Sequence, residues 1–187
     1  EKTVIEKLRS NDENSFRILV DLFKKKVFNT SLSIIQNIDD ADDISQDVFI
    51  QIFKSINKFK GNSSLSTWIY KITISKSFEY IRYKKRKKRF STLLKLFRED
   101  GSIIDIPDFV HPGILLERKE DSKLLFEAIE KLNQYQKQAY ILKNITGLSY
   151  KEIADVMNKT TSSIESLIFR AKRNLKKELI KKMDNKK

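Results

Sequence analysis

The chain has 187 residues, 40% hydrophobic and 34% charged, a composition that can bury a core and excludes a disordered tail. Four glycines and two prolines leave few turn formers for a β-rich fold, and the lack of cysteine removes disulfide scaffolds and Cys-ligated zinc or iron–sulfur sites. A formal net charge of +13 attracts a polyanion, either nucleic acid or an acidic membrane surface.

No apolar run is long enough to span a bilayer and the N-terminus lacks a signal-peptide pattern, so a cytoplasmic location is expected. Residues 1–26 read as helical. Val4, Ile5 and Leu8 form one apolar stripe and Phe16, Leu19, Val20 and Phe23 another, with a turn at 11–14 whose Asn or Asp caps the second helix. A further apolar stretch, 27–38, continues into Asp39-Asp40-Ala41-Asp42-Asp43. Asp39 is the expected cap there, and the next carboxylates suit the positive end of the helix macrodipole. This helix should run to about residue 59, with Ile44, Val48, Ile52 and Ile56 on one face, until Gly61-Asn62-Ser63-Ser64 breaks it.

Ser66 is the expected N-cap of a long helix, 67–89, that ends in seven basic residues among the eight positions 82–89. Beyond it the periodicity fades. The stretch to 113 holds Asp100-Gly101, both prolines (Pro107 and Pro112) and the only histidine, His111, and reads as a linker with local extended structure. A second helical unit starts near 114 and continues to about 183. The expected fold is all-α: two small helical domains, 1–90 and 114–187, joined by an irregular linker, 91–113, the C-terminal one containing a helix-turn-helix.

That helix-turn-helix occupies 149–177. Ser149 caps its first helix, and Glu152 completes a capping box. Ile153, Val156 and Met157 face inward, and Ala154 is small where the second helix must cross closely. Asn158 suits a left-handed turn position. Thr160 or Thr161 caps the next helix, anchored by Ile164, Leu167, Ile168 and Ala171. Thr161, Ser162, Ser163, Glu165 and Ser166 are then the exposed positions at its start, short or polar as an approach to base edges requires. Arg170, Lys172, Arg173, Lys176 and Lys177 follow and can hold phosphates. A plain helical hairpin with a solvated basic face would not need small, turn, cap and basic positions in this order, and duplex DNA is the better reading.

In the long helix, Trp68, Tyr70, Phe78, Tyr80 and Tyr83 alternate with Lys71, Lys76, Arg82 and the basic run. Rings can stack on unpaired bases while cations track phosphates. Trp68, Ile72 and Phe78 would serve equally well as core, and the basic run as a solvated helix end. Taken alone, this segment leaves both readings open.

Together these segments resemble bacterial RNA polymerase sigma factors of the sigma-70 family. The stretch from Asp40 to Phe49, DADDISQDVF, resembles the region 2 signature. Ser66-Thr67-Trp68-Ile69-Tyr70-Lys71-Ile72 with Phe78-Glu79-Tyr80-Ile81-Arg82 resembles the −10 recognition and melting segment, and 132–175 resembles region 4. With nothing between the domains long enough for a further helical domain, the chain is similar to the extracytoplasmic-function (ECF) group, which keeps only regions 2 and 4.

The resemblance implies promoter-specific initiation with core RNA polymerase and promoter DNA as partners, and an anti-sigma factor that holds the protein inactive. It implies that Asp43, Gln46, Asp47 and Phe49 dock on the polymerase. The −10 element falls to Asn62, Ser63, Ser64, Trp68, Tyr70, Lys71, Ser75, Lys76, Glu79 and Arg82. The loop 61–66 would pocket one flipped base, at a cost of a few kcal/mol of unstacking. The −35 element falls to Thr161, Ser162, Ser163, Glu165, Ser166, Arg170, Lys172 and Arg173. The family often has Asn where Ser75 stands, Asp where Glu79 stands, and basic residues in place of Glu165 and Leu167. No catalytic residue, metal, cofactor or stable homo-oligomer is expected. Two rival readings are a stand-alone dimeric repressor or activator and a recombinase-like enzyme. The first has no use for the acidic helix or the aromatic-basic one, and the second needs a catalytic α/β frame.

Overall fold

The structure is a computed structural model describing residues 2–10, 12–95 and 119–184. Three helices of its N-terminal half start where a short polar side chain takes up a free N–H of the first turn. After α1 (Lys2–Arg9), Asp12 accepts from the Ser15 N–H at 2.8 Å and opens α2 (Glu13–Ile35). The apolar stretch expected after residue 26 is the second half of this same helix. Asn37, not Asp39, caps α3 (Ile38–Ser55), accepting from the Asp40 N–H at 2.9 Å. Asp39 and Asp40 fall in the first turn, where the macrodipole favours them.

A short 3-10 turn, Ile56–Lys58, ends that segment. Ser64 rather than Ser66 then accepts from the Thr67 N–H at 3.1 Å and starts α4 (Leu65–Lys95). This helix runs past 89, because Lys and Arg are good helix formers and nothing in the run breaks it. The C-terminal half comprises α5 (Lys119–Glu130), α6 (Gln134–Asn144), α7 (Tyr150–Met157) and α8 (Thr161–Asp184). The expected linker beyond Lys95, with Pro107, His111 and Pro112, and the expected helix start near 114 lie outside the described residues. Among the described residues no helix is long and apolar enough to cross a membrane.

Two hydrophobic cores form. Leu8, Leu19, Val27, Ile44, Val48 and Ile52 build the first, together with Phe59 after the 3-10 turn and Leu65 and Ile69 at the start of α4. The second is made by α5 to α8, yet it also takes in Ile34 from α2 and Tyr70, Ile74 and Phe78 from α4. Positions 70, 74 and 78 recur at the helical i+4 spacing, so they line one face of α4 while Ile69 serves the other core. The two halves therefore pack on each other, α2 against α6 and α4 against α7.

Close approach of α2 and α4 is helped by small hydroxyl residues. Thr30, Ser31, Thr73 and Ser77 are all fully buried. Thr30, Thr73 and Ser77 donate to carbonyls one turn back in their own helices at 2.7–2.9 Å, which satisfies the hydroxyl where no water reaches. Polar groups also stitch the halves. Gln36 ends α2 in the left-handed conformation (φ 57°), and its side-chain amide donates to the Phe126 carbonyl and to Glu130, each at 3.1 Å. Lys137, only 4% exposed, donates to the Ile34 carbonyl at 2.8 Å and pairs with Glu130. Burial pushes its ammonium below the ordinary lysine range, with Glu130 opposing.

Candidate nucleic-acid interface

The C-terminal surface rests on two well-made helix ends. The Ser149 hydroxyl and backbone N–H engage Glu152, whose carboxylate accepts from both, and the Glu152 N–H donates back to the Ser149 hydroxyl. These bonds hold the Glu152 carboxyl below its ordinary range. Asn158 closes α7 at φ 51°, and Thr160 caps α8 by accepting from the Ser163 N–H at 3.2 Å. Ile153, Val156, Ile164, Ile168 and Ala171 are buried between the two helices and their neighbours, with Ala154 at 7% exposure. Met157 and Leu167 are half-buried at the margin. Every expected feature of the helix-turn-helix is thus in place.

The start of α8 points outward. Thr161, Ser162, Ser163, Glu165 and Ser166 are exposed, as are Arg170, Lys172 and Arg173 along the same helix. Phe169, 67% exposed, shares a face with Ser162, Glu165 and Ser166 at i−7, i−4 and i−3. An aromatic in an apolar-spaced helix reads as core, and only its spacing from the exposed polar residues singles this one out.

On α4, Lys71, Ser75, Glu79 and Arg82 form an exposed stripe, with Ser75 donating to Glu79 at 2.8 Å. Trp68 begins it, half-buried, its ring 5.1 Å from that of Phe59 at 37°. Asn62 and Ser64 are exposed, Ser63 and Lys76 half-buried. Tyr70 is not on that stripe. It is 4% exposed and belongs to the core shared between the halves, where burial and nearby Glu152 push its phenol above the ordinary range. Of the basic run, Lys84 pairs with Asp40 on α3 and lies 5.2 Å from the Tyr80 ring.

The acidic helix presents Asp43, Gln46 and Asp47 to solvent, while Phe49 is half-buried against the first core. Ile50 (49% exposed) and Phe53 (47%) share the outer face with them at helical spacing. Residue type alone gives neither of them as a surface position. Among the described residues no group of three or more His, Asp or Glu is arranged to hold a metal.

The family model for sigma-70 region 2 matches residues 19–87 and that for sigma-70 region 4 matches 122–175, together well over half of the chain. The chain belongs to the sigma-70 family. Its relatives set it in the ECF group. The ECF RNA polymerase sigma-E factor of Haemophilus influenzae is 26% identical over 183 residues, 96% of this chain and 95% of the relative. That of Escherichia coli is 27% identical over 176 residues, 92% and 90%. The RNA polymerase sigma-H factor of Pseudomonas aeruginosa is 26% identical over 96% of this chain and 93% of its own.

Solved structures agree on the fold. CnrH in complex with the cytosolic domain of CnrY superposes with a TM-score of 0.67 at 20% identity, covering 96% of both chains. The sigma factor RpoE of Bartonella quintana, co-crystallised with the anti-sigma factor NepR, gives 0.66 at 22% identity, covering 88% of this chain and 96% of that one. In sigma-70 terms, the region 2 match takes in α3, most of α2 and the exposed stripe of α4, and the region 4 match takes in the helix-turn-helix.

Proposed function

We propose that this sigma-70 family member acts in the cytoplasm as the promoter-recognition subunit of RNA polymerase. In this reading the outer face of α3, with Asp43, Gln46, Asp47, Ile50 and Phe53, docks on the core enzyme. Complementary charge there sets orientation and on-rate, and the apolar pair adds area removed from water. The loop 61–64 with Trp68, Lys71, Ser75, Glu79 and Arg82 takes the −10 strand as the duplex opens. The start of α8 lies in the −35 major groove, with Arg170, Lys172 and Arg173 on phosphates. An anti-sigma factor holds the protein in check. No covalent step is required of it.

The observation that carries the proposal is the helix-turn-helix itself, capped at both helices and turned through a left-handed Asn158, with an exposed polar edge at residues 161–166. Capture through Tyr70 further requires that the C-terminal half move off α4, because Tyr70 is buried between them.

Run-off transcription with core polymerase on genomic fragments tests the whole reading. Discrete start sites that depend on the chain are expected; tight binding to a palindrome without polymerase, and no start sites, would sink it. With a mapped promoter, Trp68→Ala combined with Lys71→Gln should lower open-complex formation by roughly tenfold or more, because a stacking surface and a phosphate partner are both removed. Asp43→Lys with Phe53→Asp should abolish co-purification with core enzyme while leaving the helical circular dichroism unchanged. Retained co-purification removes the α3 assignment.

A further inference from the structure

A cleft of about 650 Å³ lies between the two halves, within the usual size of small-ligand sites. One wall is the segment from Lys58 to Ser63 with the first turns of α4; the other is the end of α7 and the turn into α8. Four lysines line it, Lys58, Lys60 and Lys71 from one side and Lys159 from the other, against a single carboxylate, Asp155. The Lys159 ammonium is 4.5 Å from the Tyr135 ring, which restrains its position. Half-buried Trp68 contributes an aromatic surface, packed against buried Phe59 with the ring centroids 5.1 Å apart. Asn62 and Asn158 add side-chain amides, one from each wall.

These parts select a ligand class. Several cations around one carboxylate call for more than one negative charge, and lysines bind phosphate as point charges. An indole face stacks on any nucleobase. Asparagine amides can donate and accept at once, as base edges and sugar hydroxyls require. We infer that the cleft takes a nucleoside polyphosphate, with its base on Trp68 and its phosphates among the four lysines. Because both halves contribute, the ligand binds the packed arrangement better than the separated one and shifts the population toward it. Trp68 and Lys71 would then be unavailable to a promoter strand, a consequence that rests on their proposed −10 role; the binding itself does not.

Trp68 is the only tryptophan of the chain, so its fluorescence reports occupancy without a label. Titrating the free chain with ATP or GTP should give a saturable change with a dissociation constant on the order of 0.1 mM or tighter. Inorganic triphosphate should bind about tenfold more weakly, since it lacks the base. Lys71→Gln and Lys159→Gln should each weaken ATP by about tenfold, and Lys159→Arg, which keeps the charge, should restore it. Circular dichroism identifies any variant that has lost its helices, and the Arg variant then decides. No saturation up to several times that concentration overturns the inference. So does equal affinity for triphosphate, which would mean a bare charge site. Unchanged affinity in Lys159→Gln would place the nucleotide on the N-terminal half alone and likewise overturn it. Polymerase is absent from these measurements, so a failure of the transcription assay leaves them readable.

Discussion

Gln36 and Asn158 both end helices in the left-handed region, but with different support. Asn adopts this conformation readily, because its short amide can bond locally. Gln has no such advantage, and at position 36 its amide is instead held by the Phe126 carbonyl and Glu130 from the other half of the molecule. Glu152, at the start of α7, has its carboxyl held below its ordinary value of 4.5, chiefly by hydrogen bonds from Ser149. A depressed folded-state pKa means a contribution fully present above 4.5 and lost as pH falls through the lowered value. Glu152→Gln keeps an acceptor for Ser149 but cannot titrate or favour the macrodipole. At pH 7 it should cost about 0.5 kcal/mol, less at high salt. Thermal unfolding of both proteins from neutral pH downward should show their difference closing as the wild-type carboxyl protonates. A constant difference would show that the charge is irrelevant.

Helices differ in how far their own sequence decides them. Exposed Phe169 apart, the α7–α8 pair is legible, because caps and turn residues act within a few positions and agree with the apolar spacing. Ile164, fully buried in α8, should lose about 2–5 kcal/mol on substitution by Ala, whereas exposed Ser162→Ala should stay within about 0.5; urea midpoints separate the two. The starts of α3 and α4 lie two residues earlier than local signals place them. Asn37 and Asp39, and Ser64 and Ser66, are comparable caps on local grounds, and the choice falls to how Leu65 and Ala41 reach the core. On α4 the aromatics could equally have been stacking platforms or core, and the structure divides them. Trp68 stays near the surface, whereas Tyr70 and Phe78 serve a core that the N-terminal half does not complete alone. Ile50 and Phe53 are illegible for the converse reason, since residue type suggests burial and only tertiary packing leaves them outside.

At the scale of the whole molecule, the two halves meet through Tyr70, Ile74 and Phe78 on α4, through Ile34, and through the polar group of Gln36, Lys137 and Glu130. Nothing in the sequence pairs Lys137 with a carbonyl 103 positions away, and so the arrangement is not readable from it. Lys137 is buried whereas its partner Glu130 is exposed, so desolvation of the ammonium offsets much of the attraction, but reversing the buried charge is severe. Lys137→Glu would set two carboxylates together beside the C-terminal carbonyls of α2. It should weaken docking of the halves by about 3–5 kcal/mol. Small-angle X-ray scattering should then report a larger radius of gyration, with the helix content unchanged; an unaltered radius would show that the apolar contacts suffice.

Because α4 serves both cores, the halves cannot part without stripping one side of it. Tyr70, Ile74 and Phe78, each no more than 6% exposed when packed, would face water together. Such a stripe is sticky, and chains carrying it are targets for degradation in proportion to how often they open. If capture of the −10 strand needs the halves apart, as proposed, turnover of the protein is tied to the same equilibrium: whatever captures the open form, shielding that stripe, should also lengthen the lifetime of the chain.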